Sequence, residues 1–139
     1  MANTSGISGA AKQAALSAIV DSKTLKAALY ATTGSVGPTT AAYTATGEIT
    51  GTGYTAGGVA VTNGNTAALT STTAYWTPSA AISYGTVTLS SFDTVMIYST
   101  TDSNRNLITI NFGSTTVTAA SFSLTQPTND SANALVRFS

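Results

Sequence analysis

From Leu25 onward the chain is a run of short segments in which threonine, serine, valine and tyrosine dominate, and period-two patterns recur between glycine, proline and asparagine clusters. β-branched and aromatic residues suit a pleated, half-buried surface, and the breakers between them stop any one segment from growing into a helix. The segments are LKAALYA (25–31), AYTATGEIT (42–50), GYTAGGVAV (53–61), NTAALTS (65–71), TAYWTP (73–78), ISYGTVTL (82–89), TVMIYST (94–100), NLITINF (106–112), SFSLT (121–125) and ALVRF (134–138). About nine short antiparallel strands are expected, in an all-β fold of the β-sandwich or small-barrel kind. Gly37-Pro38 ends one segment, and Asn63-Gly64 reads as a tight turn between GYTAGGVAV and NTAALTS. In NLITINF the alternation places Ile108, Ile110 and Phe112 on the core face, and the unbroken Val95, Met96, Ile97 suits a central strand covered on both sides.

The first twenty-two residues read differently. Ile7, Ala11, Ala14, Ala15, Ala18 and Ile19 recur at spacings of three and four, with Ser8 placed to cap, which predicts a helix over Gly9–Val20. Its apolar face is mostly methyl groups, so it has to lie on the domain or on a partner. The expected division is a helical arm over 1–22 and a β domain over 23–139. Ile7, Leu16, Ile19 and Val20, with the aromatic pair Tyr75 and Trp76, are the candidate contact residues.

Only five Lys or Arg and five Asp or Glu occur in 139 residues, 7% charged with zero net charge, against about 25% in an ordinary soluble domain. Such a chain has little repulsion to keep copies apart, which favours a component packed against neighbours. Lys12, Lys23, Lys26, Arg105 and Arg137 are too scattered for a phosphate-neutralising stripe, so no nucleic acid is expected. Cysteine is absent, which excludes disulfides and thiolate zinc sites. The apolar run AALSAIV (14–20) is far shorter than the roughly 18 residues that span a bilayer, and MANTSGISGA lacks the pattern of a secretory signal, so no membrane role is expected.

Candidate chemistry is thin. In GEITGTGYTAGG (47–58) a phosphate loop would need a following helix and a lysine, whereas the glycines run into the strand-like VAVTN. The structural reading is that Gly51 and Gly53 permit a bend, that Gly57 and Gly58 sit where φ is positive, and that Tyr54 packs on the sheet and offers its hydroxyl to backbone. TDSNRN (101–106) places Asp102, Asn104 and Asn106 like the start of a calcium loop, but Leu107 and Gly113 stand where that loop needs glycine and an acid. A hairpin turn is expected instead. With neither His nor Cys, catalysis would need two of Asp21, Glu48, Asp93, Asp102 and Asp130 to face each other within about 5–9.5 Å, and their turn-like contexts read as isolated solvated carboxylates. No enzyme activity, cofactor or metal is expected. Trp76 reads as core; exposed, it would be a sugar-stacking or interface anchor.

KTLKAALYA, GEITGTGYTAGG, AYWTPSAAIS, TVMIYST, NLITINFG and the closing FSLTQPTNDSANALVRF together resemble a family of small structural proteins of tailed bacteriophages. In that family a short helix leads into a strand of the L-K-V-A-L-Y type, then T-x-E-V-x-G-x-G-Y-x-x-G-G, and strands ending near N-A-[IL]-[IV]-R-[IF]. The match runs from about Lys23 to Phe138, and Glu48, Gly51, Gly53, Tyr54, Gly57 and Gly58 carry its central motif. The resemblance implies a capsid decoration or cement protein, made in the host cytoplasm and carried on the outer surface of the virion shell. It further implies a β-sandwich that binds the major capsid protein as a homo-oligomer, often a trimer. A tail or head-tail junction protein and a carbohydrate-binding module using Tyr75 and Trp76 are the alternatives. The N-terminal segment departs from the family, whose helix is longer and more polar.

Overall fold

The computed structural model describes residues 2–139. One helix, α1 (Gly9–Val20), precedes seven strands: β1 (Leu25–Ala31), β2 (Val59–Ala60), β3 (Ala68–Thr70), β4 (Thr73–Trp76), β5 (Ile82–Ser99), β6 (Arg105–Leu124) and β7 (Val136–Phe138). The fold is mostly β, with two antiparallel sheets ordered β2-β1-β5-β6 and β3-β4-β7. Each sheet ends on two different strands, so neither closes into a barrel. Among the described residues no helix is long and apolar enough to cross a membrane.

The strands are fewer and longer than the segments suggest. ISYGTVTL and TVMIYST are one strand, and so are NLITINF and SFSLT. The breaks within them are bulges: Gly85 (φ 68°) and Gly113 (φ 89°), with Ser91 (φ 56°) and Ala119 (φ 47°), lie where the β5–β6 register shifts while pairing continues on both sides. A positive-φ residue serves a bulge as readily as a turn. AYTATGEIT forms no strand, and GYTAGGVAV contributes only the two residues of β2. Asn63-Gly64 makes no hairpin, because β2 pairs with β1 whereas β3 pairs with β4.

The chain divides into two compact units. Residues 2–22, 63–79 and 126–139 form the first. Ser8 caps α1, its Oγ accepting from the Ala11 N–H at 3.1 Å. The buried face is Gly9, Leu16 and Val20, not the expected stripe, for Ile7, Ala11, Ala14, Ala15 and Ala18 are exposed and Ile19 is half-buried. Branched side chains release more apolar area from water than alanine methyls, so they set the orientation. Gln13 donates to the Ala67 carbonyl (3.0 Å), and the Asp21 carboxylate accepts from the Ala67 N–H (2.7 Å), pinning α1 beside β3. Trp76 is fully buried, its indole N–H shared between Asn63 Oδ1 (3.1 Å) and the Asn65 carbonyl (3.3 Å).

Residues 23–62 and 80–125 form the second unit. β5 lies between β1 and β6, and Val95, Met96, Ile97 and Tyr98 are all buried, as a strand covered on both faces must be. The register puts Leu29, Val95 and Ile110 in one row and Ala27, Ile97 and Ile108 in the next. Ile108, Ile110 and Phe112 therefore face as expected, but only half-buried, because β6 is an edge strand. The turn at TDSNRN joins β5 to β6, with Asp102 bonded to Ser99 and ion-paired to Lys23 at 3.0 Å. The hairpin does not run straight. The Tyr84 hydroxyl donates to the Ala27 carbonyl at 3.1 Å, yet Ala27 pairs with Ile97, which a straight strand would hold about 40 Å from Tyr84. The bulges bend the hairpin back across its own sheet, and Phe92, Phe112 and Phe122 meet in the fold at centroid distances of 5.0–6.0 Å.

Candidate functional site at the Glu48 carboxylate

Residues 32–58 lack regular strands but are tied to the sheet by isolated bridges, Tyr30 to Glu48, Ala42 to Arg105 and Thr52 to Thr88. The segment lays Val36 and Tyr43 on a sheet face of Ala28, Tyr30, Met96 and Tyr98. The Tyr43 and Tyr98 rings stack at 4.8 Å.

Glu48 is the hub of this layer. Its Oε2 accepts from the Tyr43 hydroxyl at 2.6 Å, and its Oε1 accepts from the Tyr54 hydroxyl and from the Gly57 N–H, both at 2.7 Å. The Tyr54 oxygen accepts in turn from the Leu29 N–H of β1 (2.9 Å), and the Tyr98 hydroxyl donates to the Gly57 carbonyl (2.8 Å). Hydrogen bonds to an ionised acceptor are the short, strong kind, and here three converge on one side chain. The Tyr30 hydroxyl fastens the start of the segment by donating to the Thr44 carbonyl at 2.7 Å.

The glycines let backbone come close. Gly58 has φ 77°, and a Cβ there would stand 1.8 Å from the Ala27 carbonyl oxygen. Gly51 and Gly53 cross β5, where a Cβ would meet the carbonyls of Thr88 and Thr86 at 2.3 Å. Gly57, with φ 90°, aims its N–H at the carboxylate. The motif is thus a clamp: its acid gathers donors, its tyrosine bridges to β1, and its glycines admit the sheet.

Burial pushes the Tyr30 phenol up to about 12, with Glu48 adding to the rise. The bond to Glu48, then burial, raises Tyr43, while burial first and Glu48 second raise Tyr54, Tyr84 and Tyr98. All five phenols are held as neutral donors, each beside an oxygen acceptor.

The remaining acids are not isolated in solvent but engaged close by. Asp21 accepts from Ser17 and Ala67, and Asp93 from the Thr94 hydroxyl. Asp130 accepts from the Ala132 and Asn133 backbone, and the Asn133 side-chain bond does most to hold its carboxyl below the ordinary value. The Lys23 hydrogen bond does the same for Asp102. Among the described residues no three acidic, His or Cys side chains are placed to hold a metal ion.

The candidate contact residues do not come together. Leu16, Val20 and Trp76 are core, Tyr75 and Ile19 are half-buried, and Ile7 is exposed at 71%. Sequence reasoning found Glu48 and Tyr54 but missed Tyr43, Tyr84 and Tyr98; Tyr43, five residues before Glu48, was the available signal. No protein-family model, curated protein or solved structure matches the chain.

Proposed function

We propose that the chain is a structural protein of a tailed-bacteriophage virion, a decoration or cement protein bound to the outer surface of the shell through the major capsid protein. The observation that carries this is the use made of the central motif: Glu48 and Tyr54 spend their polar groups on one another, on Gly57 and on Leu29. A motif used up in this way supports a rigid tile rather than a site of turnover. The near absence of charge supports the same role, since such a surface suits close packing. The role needs neither catalysis nor a cofactor. The β-sandwich belongs to this proposal, supported by the hairpin that bends back over its own sheet. The homo-oligomer belongs to it too.

Docking is assigned to the exposed start, residues 2–7, and to the alanine face of α1, because Leu16 and Val20 are engaged in their own unit. Counting copies in purified particles tests the reading. Hundreds per particle support the shell, one ring's worth moves the protein to the tail or the head-tail junction, and absence from particles refutes a virion role. Removing residues 2–7 leaves the core of the first unit intact and is expected to weaken attachment. The carbohydrate-binding alternative finds no support at Trp76, whose ring is fully buried and whose N–H is spent on Asn63 and Asn65.

A further inference from the structure

β6 is the outer strand of its sheet and runs for 20 residues. Its beginning is covered within the unit: the Asn106 N–H donates to the Ala41 carbonyl, and the Tyr43 N–H donates to the Asn104 carbonyl. From Leu107 to Leu124 it carries no charged residue and no proline, the usual guards of an open edge.

The direction of its free groups follows from alternation. The Thr88 N–H is given to Thr52, away from β6, so its neighbours Val87 and Leu89 turn toward β6 and bond Ala120 and Val117. The backbone groups of Thr116 and Ser121 therefore point outward, while the Thr116 Oγ accepts from the Ser91 N–H of β5 at 3.2 Å. On the same logic Leu29 turns away from β5, toward Ile49 and Tyr54, so Val95 bonds its β6 partner Ile110. Thr109 and Asn111 then point outward as well.

These positions are symmetric about Thr116. Asn111 and Ser121 lie at equal separations on either side, as do the positive-φ bulge residues Gly113 and Ala119. When an antiparallel copy is laid along this edge about a two-fold axis at Thr116, outward residue meets outward residue and bulge meets bulge. The geometry points to a second copy of this chain as the occupant, paired β6 to β6 to extend the sheet across a two-fold axis. The edge and the chain are both without net charge, so copies do not repel. The opposite edge is β2, two residues long, and the part of β5 beyond β1, which Thr52 crosses at Thr88; a two-fold pair, β6 to β6, uses the same edge of both copies and closes as a dimer. This inference rests on the ladder of the second unit and not on the virion reading.

The chain has no cysteine, so a single introduced thiol reports the register. In the pair, Thr116 faces its own copy at a Cα separation of about 5.5 Å, within disulfide reach. Ser121 faces Asn111 of the other copy and lies far from its own counterpart. Purified full-length protein is expected to sediment at twice the 13.9 kDa chain mass at about 100 µM. T116C is expected to give a covalent dimer on mild oxidation and S121C to give none. T116K, which sets like charges opposite each other, is expected to weaken dimerisation roughly tenfold or more with an unchanged circular-dichroism spectrum. A monomeric wild type, equal cross-linking of S121C and T116C, or failure of T116C to cross-link in a dimeric sample overturns the pairing.

Discussion

Replacing Glu48 tests the clamp directly. Its carboxylate accepts three hydrogen bonds of 2.6–2.7 Å, and a bond to an ionised acceptor contributes about 1.5 kcal/mol or more net. Glu48→Ala strands the donors of Tyr43, Tyr54 and Gly57 together. Tyr43 is half-buried and regains water, whereas Gly57 is buried and cannot. The expected loss is therefore roughly 3–5 kcal/mol, a large share of the 5–15 kcal/mol that a domain typically has. Glu48→Gln keeps the shape and the oxygen at Oε1, and its amide donates to the Tyr43 oxygen, so the expected loss is only about 1–2 kcal/mol. Tyr54→Phe is expected to cost more than Tyr43→Phe, because the Tyr54 hydroxyl also satisfies the Leu29 N–H. Urea unfolding at equilibrium, with midpoints compared at constant slope, reads all four variants. The reasoning fails if Glu48→Ala lies within about 1 kcal/mol of wild type, or if Gln destabilises as much as Ala.

Two further outcomes follow from the same layer. Five phenols are raised from an ordinary value of 10.0, so the folded state holds their protons more tightly than the unfolded state. Stability is then full below pH 10 and is lost as pH rises past it, by up to about 1.4 kcal/mol per pH unit for each phenol involved. Phenolate absorbance of these five, followed in a Tyr75→Phe background, and circular dichroism are expected to change in one alkaline transition; ionisation of the five near pH 10 in a folded protein contradicts this. Gly58→Ala forces a Cβ to 1.8 Å from the Ala27 oxygen, whereas Gly113→Ala, also at positive φ, meets nothing within 4 Å. Thermal melts are expected to show about 1–2 kcal/mol of backbone strain for Gly113→Ala and a far larger loss, or no folding, for Gly58→Ala.

Local chemistry settled a good deal before any tertiary contact. A capping serine ahead of an alanine-rich segment set α1 to Gly9–Val20, and clean alternation placed Ile108, Ile110 and Phe112 on one side of β6. The breaker-rich TDSNRN became the turn it resembles. Each of these depends on residues within one or two turns of one another, so the sequence carries the full reason. Packing decided the rest. Which side of α1 is buried depended on where Leu16 and Val20 found partners, and spacing alone favoured the alanine stripe. Gly85 and Gly113 became bulges because a neighbouring strand continues past them, a fact no residue reports about itself. The carboxylate hub joins Tyr43, Glu48, Tyr54 and Gly57 to β1 and β5 through a loop without periodicity. The bonds to Glu48 span no more than nine residues, but they close within a loop of irregular backbone and leave no repeating pattern, so only the folded chain shows that the acid, the tyrosines and the glycines of this motif form one structure.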